Sequence, residues 1–246
     1  DEFIVAKGGV AFDKIYRQSL DLEIYLAHSK PHTNLTMTAA LTVNRRYLGE
    51  IPFPTSGLVG VKSAKGTGKT TALQEVVKQA LNRNKPILLI THRIHLGRFL
   101  CKKVGIKWGV GYKEWGIKTS TNISSESILL PNIAASEHHP PTTGLCIDSI
   151  WKLNPSDWEG AIIILDEVEQ SLWHLLHSTT CKDRRVKILK LFQQLISTVL
   201  TTGGLVIAQD ADLSDVSLEY LQKLAGIELT PWVVVNQWKP EQAWDV

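Results

Sequence analysis

Hydrophobic residues in this chain fall into short continuous runs, separated by longer stretches in which apolar residues recur with helical spacing. The runs are rich in Val, Ile and Leu, which is typical of strands buried on both faces of a sheet. They predict strands at 57–63, 86–91, 144–147, 161–165, 204–208 and 232–235. The stretches between them predict helices at 70–82, 96–103, 185–200 and 214–224, the last with Ser214 at its N-cap and Gly226 just beyond its end.

This alternation predicts an α/β fold in which a mainly parallel sheet carries helices on both faces. The first fifty residues differ, because an amphipathic helix at 12–27 is followed by a proline-containing linker. We therefore expect an N-terminal helical extension and linker at 1–50, an α/β lobe at 51–230, and the start of a truncated following region at 231–246. A segment rich in Ser, Thr, Asn and Pro at 118–143 predicts a long polar insertion. The first residue is Asp rather than Met, so we interpret the chain as a piece of a longer polypeptide.

Composition narrows the possible classes of protein. The 246 residues, 43% of them hydrophobic, suffice for one large domain but not for two complete nucleotide-binding lobes. A net charge of +3 permits a polyanionic partner without requiring one. No apolar run approaches the roughly 18 residues of a membrane span. The three widely separated cysteines, at 101, 146 and 181, favour a reducing compartment. We expect a cytoplasmic protein without a membrane partner.

A glycine-rich segment lies where the first of these strands gives way to a helix, and it is the strongest candidate for a phosphate-binding loop. Gly66 and Gly68 let the backbone turn its N–H groups toward phosphate oxygens, and the helix N-terminus adds its positive dipole end. Lys69 is predicted to reach the β and γ phosphates of ATP, and Thr70 to place its hydroxyl on Mg²⁺. The generic pattern has Gly where this chain has Ser63, and the alternative is an ordinary glycine-rich turn before a helix. The predicted binding residues are Ser63, Ala64, Lys65, Gly66, Thr67, Gly68, Lys69, Thr70 and Thr71.

An acidic pair, Asp166 and Glu167, directly follows the predicted strand 161–165. Ligands of open α/β sheets bind at the carboxyl ends of the strands, and a buried carboxylate there requires a cation or hydrogen bonds. Asp166 is predicted to hold Mg²⁺ through its water shell, and Glu167 to orient or deprotonate an attacking water. The alternative is a solvated pair that caps the next helix.

Two other predicted strands also end in polar residues. His92 and Arg93 follow one of them and are predicted to contact a nucleic-acid backbone, as loops of this kind do in motors that grip phosphates. A surface turn followed by a basic helix face explains them equally well. Asp210 and Asp212 follow another strand. They either couple the nucleotide state to a neighbouring lobe or cap the helix that begins near Ser214.

Two further patterns are open to more than one interpretation. Segment 102–118 carries five lysines among two tryptophans and a tyrosine, which suits single-stranded nucleic acid, although a hairpin with lysines on its wet face fits as well. His174 and His177 are spaced i, i+3 on a predicted helix after the acidic pair. Since no third ligand follows at a recognisable spacing, we do not interpret them as a metal site.

Taken together and in this order, the motifs resemble the first motor lobe of a superfamily 2 helicase. More narrowly, they resemble cyanobacterial plasmid replication proteins of the CyRepA type, which are similar in turn to herpesvirus replication-origin-binding helicases. The resemblance runs from about residue 44 to 240 and also covers 146–149, a segment similar to the family's motif Ib that would put Ser149 near bound nucleic acid. Ser at position 63 fits this group. The matching segments are 62–70, 90–97, 165–170 and 210–215.

The resemblance implies a RecA-like P-loop nucleoside-triphosphatase lobe that uses ATP and Mg²⁺. It also implies a DNA-dependent ATPase or helicase in a plasmid or phage replication initiator that acts on origin DNA. The rest of such a polypeptide would supply a second RecA-like lobe with its arginine finger, so the fragment alone is expected to bind ATP and hydrolyse it poorly. Two alternatives stay open, an ATP-switched origin-binding or assembly module without productive turnover, and a P-loop kinase, which the adjacent Asp-Glu pair disfavours.

Overall fold

Eight strands form one sheet in which every neighbouring pair runs parallel, so the predicted α/β class is confirmed. A computed structural model describes residues 34–109 and 141–239. The strand order is β1-β8-β2-β7-β6-β3-β5-β4. The strands are β1 (Leu41–Val43), β2 (Gly57–Lys62), β3 (Ile87–Thr91), β4 (Lys107–Trp108), β5 (Thr142–Cys146), β6 (Ile162–Asp166), β7 (Leu205–Asp210) and β8 (Trp232–Asn236).

Five α-helices connect these strands, as parallel pairing requires. They are α1 (Lys69–Asn82), α2 (Ile94–Val104), α3 (Val168–His177), α4 (Arg185–Thr201) and α5 (Asp215–Ala225). Three 3-10 helices add to them at Ile147–Lys152, Pro155–Trp158 and Thr179–Arg184. The helices predicted at 70–82, 96–103, 185–200 and 214–224 are each present within two residues at either end. None of the helices in 34–109 and 141–239 is both long and apolar enough to cross a membrane.

Alternate residues of each central strand face opposite sides of the sheet, and both sides are buried. Leu88 and Ile163 pack on the side covered by α3, α4 and α5, where Phe192 of α4 is fully buried. Ile87 and Ile164 pack on the side covered by α1 and α2. The sheet is therefore sandwiched between two helical layers.

Two strands of this sheet, β1 and β8, come from regions that we expected to lie outside the α/β lobe. β1 comes from the region assigned to the N-terminal extension, and β8 comes from the region assigned to a following segment. β8 pairs with both β1 and β2, with Val235 opposite Lys62. The helix predicted at 12–27 and most of the insertion predicted at 118–143 lie outside the described residues.

The described part of segment 102–118 ends at residue 109 and comprises the end of α2 and the strand β4. The Trp108 ring packs closely over two glycines. A Cβ built on Gly97 would lie 1.9 Å from the ring, and a Cβ built on Gly144 would lie 3.0 Å from it. Trp108 is therefore a packing residue and is not available to stack on a base. Residues 110–118, with the other aromatic residues of this segment, lie outside the described ranges.

Asp215, in the first turn of α5, fastens the chain before β1 to the lobe. Its carboxylate accepts hydrogen bonds from the N–H groups of Thr36 and Met37, at 2.8 to 3.0 Å, and from the Thr36 hydroxyl. Burial alone would raise the pKa of Asp215, but these hydrogen bonds outweigh it and lower the pKa. The stabilisation they give is therefore present above the unfolded-state pKa of about 4 and is lost as the pH falls through the lower folded-state value.

We expect Asp215→Asn to lower the free energy of unfolding at pH 7 by about 1 kcal/mol, a value discounted for the solvent exposure of the carboxylate. Urea unfolding of both proteins at pH 7 and pH 4 measures it, and the difference should shrink at the lower pH. An equal difference at both pH values would contradict the role of the charge.

Candidate functional site

The candidate residues gather at the carboxyl edge of the sheet because the strands that carry them are neighbours. β7 lies between β2 and β6, and the register places Lys62 opposite Asp210 and Gln209 opposite Asp166. The glycine-rich segment after β2 and the acidic pair at the end of β6 are thus one strand apart. β3, which leads to His92 and Arg93, is the next strand beyond β6.

The loop between β2 and α1 is folded around its own lysine. Gly66 and Gly68 have φ angles of 76° and 81°, in the left-handed region that favours glycine. The Lys69 ammonium group donates hydrogen bonds to the carbonyl oxygens of Ser63 at 2.7 Å and Ala64 at 3.2 Å. Burial lowers the pKa of Lys69, and the charge of Asp166 opposes this shift. The lysine is held where anionic oxygens would replace the two carbonyls as better acceptors.

Ser63, the departure from the generic motif, is a buried brace for this loop. Its hydroxyl is 2.7 Å from the Thr67 hydroxyl and accepts a hydrogen bond from the Asn236 side-chain amide at 3.1 Å. The same amide donates to the carbonyl oxygen of Arg45 at 2.9 Å. Ser63 has no positive φ that would require glycine. The serine therefore connects the loop to the end of β8 and to the segment before β2.

We expect Ser63→Gly, which restores the generic pattern, to lower the free energy of unfolding by about 1–3 kcal/mol. The reason is that the Thr67 hydroxyl and the Asn236 amide lose a buried partner, and glycine gives the unfolded chain more freedom. Ser63→Ala is the control, since it removes only the hydroxyl. If Ser63→Gly unfolded at the same urea concentration as the unaltered protein, the hydroxyl would not be a brace.

Asp166 is a buried carboxylate at the end of β6, only 5% exposed. The side-chain amide of Gln209 donates to its Oδ1. Burial raises the pKa of Asp166 to about 6; the hydrogen bond from Gln209 opposes the rise, and the nearby charge of Glu167 adds to it. A carboxylate in this position is stabilised by a cation.

Glu167 has an unusual backbone conformation, with φ 47° and ψ 56°, at the N-cap of α3. Non-glycine residues adopt this left-handed conformation rarely, and it is associated with functional sites. Its carboxylate lies 3.8 Å from Nδ1 of His92. Burial, together with the charge of Arg93, lowers the pKa of His92 to about 4, so the imidazole is neutral at pH 7 and the contact is not an ion pair. Glu167 therefore has a neutral imidazole, not a cation, as its neighbour at this distance.

The loops after β6 and β7 are joined by hydrogen bonds in which a carboxylate of each loop accepts from the other. Asp210 accepts the N–H of Glu169 at 3.0 Å, at the start of α3. Glu169 accepts both the N–H and the hydroxyl of Ser214, at 2.8 and 2.9 Å, at the start of α5. Ser214 occupies the predicted N-cap position of α5, but its hydroxyl donates to Glu169 instead of capping that helix.

Asp210 and Asp212 were predicted to cap the helix near Ser214 as one of two roles, and the structure shows a different capping role for Asp210. Asp210 caps α3, not α5, and also accepts the N–H of Asp212 at 3.0 Å. The Asp212 side chain is exposed. Of the two acids, Asp210 joins β7, the strand beside β2, to the helix after the acidic pair.

The residues predicted to contact nucleic acid differ in exposure. Arg93 is exposed at the start of α2, whereas the His92 side chain is only 8% exposed and faces Glu167. Ser149 is half-buried in the 3-10 helix after β5, and its hydroxyl donates to Asp148. Of the three residues, only Arg93 is exposed.

Thr70 and Asp166 together form the donor set predicted for Mg²⁺, one hydroxyl and one carboxylate. This set fits magnesium, which usually takes one or two protein ligands and fills its octahedron with water and phosphate oxygens. Within 34–109 and 141–239 no three His, Cys, Asp or Glu side chains cluster as a metal site. His174 and His177 are engaged otherwise, with the Thr180 hydroxyl and the Trp173 carbonyl oxygen, respectively.

Sequence reasoning missed the residues that support this site: Gln209 as a partner of Asp166, Glu169 as a partner of Ser214, and Asn236 as the bridge to Ser63. Gln209 has a recognisable signal, because it precedes an acid at the end of a buried strand next to another such strand. Asn236 has none, since it lies 173 residues from Ser63 in the sequence.

No protein-family model matches the chain. The chain is similar to an uncharacterized protein of the cyanobacterium Picosynechococcus sp. PCC 7002, with 35% identity over 244 residues. These residues make up 98% of this chain but only 23% of the relative. The name of the relative states no activity.

Proposed function

We propose that this chain is the ATP-binding lobe of a DNA-dependent ATPase or helicase in a plasmid or phage replication initiator, with a RecA-like P-loop fold. The observation that supports the nucleotide part best is the buried Lys69 ammonium held by the carbonyl oxygens of its own glycine-rich loop. Asp166 at the end of β6, one strand away, is the second support. The DNA and replication parts rest on the resemblance of the motifs at 90–97, 146–149, 165–170 and 210–215.

Each residue of the edge has a distinct part in this proposal. The Lys69 ammonium exchanges its two carbonyl acceptors for β- and γ-phosphate oxygens, and the N–H groups of residues 66–71 bind the remaining oxygens. Thr70 and Asp166 would hold Mg²⁺ when it is bound. ATP and Mg²⁺ supply the triphosphate and the charge neutralisation of the leaving group. Glu167 accepts the proton of the attacking water, and Asp210 transmits movement of this edge to α3.

The second candidate function is an ATP-switched origin-binding or assembly module without productive turnover. It is favoured by the position of the neutral His92 imidazole, whose Nδ1 lies 3.8 Å from the Glu167 carboxylate, because this ring occupies space beside the carboxylate that an attacking water would need. In this case ATP changes the conformation of the edge, and hydrolysis is incidental.

Two measurements test the proposal. Calorimetric titration of the chain with ATP should show binding in Mg²⁺ and much weaker binding in EDTA, and absence of binding in both would overturn the nucleotide part. The ATPase rate of the full-length protein, with and without single-stranded DNA, tests the motor part. Strong stimulation by DNA supports a motor, whereas a rate unchanged by DNA supports the switch.

A further inference from the structure

Three basic side chains converge on one indole ring away from the acidic pair. The Arg184 guanidinium carbon lies 4.5 Å from the centre of the Trp151 ring, Lys187 Nζ lies 5.2 Å from it, and Lys152 Nζ lies 5.6 Å from it. All three distances are within cation–π range. We call Trp151, Lys152, Arg184 and Lys187 the Trp151 cluster. It joins the 3-10 helix after β5 to the first turn of α4.

The Trp151 cluster has an excess of positive charge. Among residues 34–109 and 141–239, neither Arg184 nor Lys187 forms an ion pair with a carboxylate. The adjoining sequence 182–190 has five basic residues and one acidic residue. The first turn of α4 contains no acidic residue, although acids are favoured at that end of a helix.

This arrangement is unfavourable on its own, because like charges held around one ring repel each other. The indole partly compensates for this repulsion and fixes the positions of the basic groups. Trp151 itself is half-buried and packs against the core beside α4. The position of its ring is therefore fixed by the core. A bound polyanion would offset this repulsion, and its phosphates would accept hydrogen bonds from basic groups that are already in position.

We propose that the Trp151 cluster binds the sugar-phosphate backbone of single-stranded nucleic acid. Fixed basic groups beside an aromatic ring are the features that grip single strands without reading their sequence. The cluster begins two residues after Ser149, so a strand that contacts Ser149 would continue onto it. This inference rests on the nucleic-acid part of the proposed function and is independent of the nucleotide part.

The test is fluorescence anisotropy of a labelled twenty-residue oligo-dT with the full chain. The double variant Arg184→Ala/Lys187→Ala should weaken binding roughly tenfold and reduce the slope of log K against log salt by about 1.4, since each single-strand phosphate contact contributes about 0.7. The matched control is Lys78→Ala/Lys223→Ala, which removes the same charge from exposed positions of α1 and α5. Trp151→Phe should retain most of the affinity, because the ring is kept.

Each outcome has a distinct meaning. If the control variant loses as much affinity as the cluster variant, binding depends on net charge and the inference is overturned. If the cluster variant binds oligo-dT normally but loses affinity for heparin, the surface takes another polyanion and the inference is again overturned. If the unaltered chain does not bind oligo-dT at all, the nucleic-acid part of the proposed function fails as well, while ATP titration still tests the nucleotide part.

Discussion

Lys69→Ala should weaken the binding of ATP and Mg²⁺ by at least about a hundredfold. Two charge-assisted hydrogen bonds to phosphate, each contributing about 1.5–3 kcal/mol, are lost together. The change also removes the hydrogen bonds that Lys69 donates to the carbonyl oxygens of Ser63 and Ala64, so urea unfolding of the variant is measured alongside to establish that it folds. Calorimetric titration with ATP in Mg²⁺ measures the loss directly.

The chain offers a matched control in the same loop. Lys65 carries the same charge and is exposed, whereas Lys69 is partly buried and donates to two carbonyl oxygens. Lys65→Ala should change the affinity for ATP far less than Lys69→Ala does. If the two variants bound ATP with equal affinity, or if Lys69→Ala bound it as the unaltered chain does, the assignment of this loop to phosphate would be lost.

Glu167→Gln should lower the ATPase rate of the full-length protein by about 10²–10⁴, the usual contribution of a general base. Glutamine has nearly the same shape and can occupy the same N-cap position, but it cannot take a proton. Binding of ATP should be retained, because Lys69 and Thr70 are untouched. Steady-state turnover together with calorimetry separates the loss of rate from a loss of affinity.

Glu167→Gln also separates the two candidate functions. A motor with this change should stall with ATP bound and lose its biological output. An assembly module should keep its output, because ATP binding alone would switch it. Glu228→Gln is the control, since Glu228 is an exposed carboxylate beyond α5, and it should affect neither rate nor output. A Glu167→Gln protein with an undiminished rate would exclude Glu167 as the base.

The sequence predicted the strands and helices well because both faces of the sheet are buried. Continuous runs such as 161–165 have only one stable environment in a protein of this size, between two helical layers. β1 and β4 escaped prediction because they are short edge strands of three and two residues. Their position depends on pairing with β8 and β5 rather than on any pattern of their own.

The candidate site was predictable where residues lie next to each other in sequence, and not where they meet through folding. Asp166 and Glu167 are recognisable in the sequence as an acidic pair directly after an apolar strand. By contrast, the pairing of Asp210 with Glu169 spans 41 residues, and the burial that raises the pKa of Asp166 exists only in the folded sheet. Capping of α5 was one of the two roles predicted for Asp210 and Asp212, but Asp210 caps α3 instead, because β7 lies directly beside β6.

The glycine-rich loop after β2 is stabilised by Asn236, a residue that is synthesised much later than the loop itself. Its side-chain amide reaches Arg45 and Ser63 across separations of 191 and 173 residues, so both contacts close long loops late in folding. On a ribosome, the segments around residues 45 and 63 emerge long before β8. We expect the glycine-rich loop after β2 to lack these hydrogen bonds until residue 236 has left the exit tunnel, so that a nascent chain stalled earlier has a looser loop than the finished one.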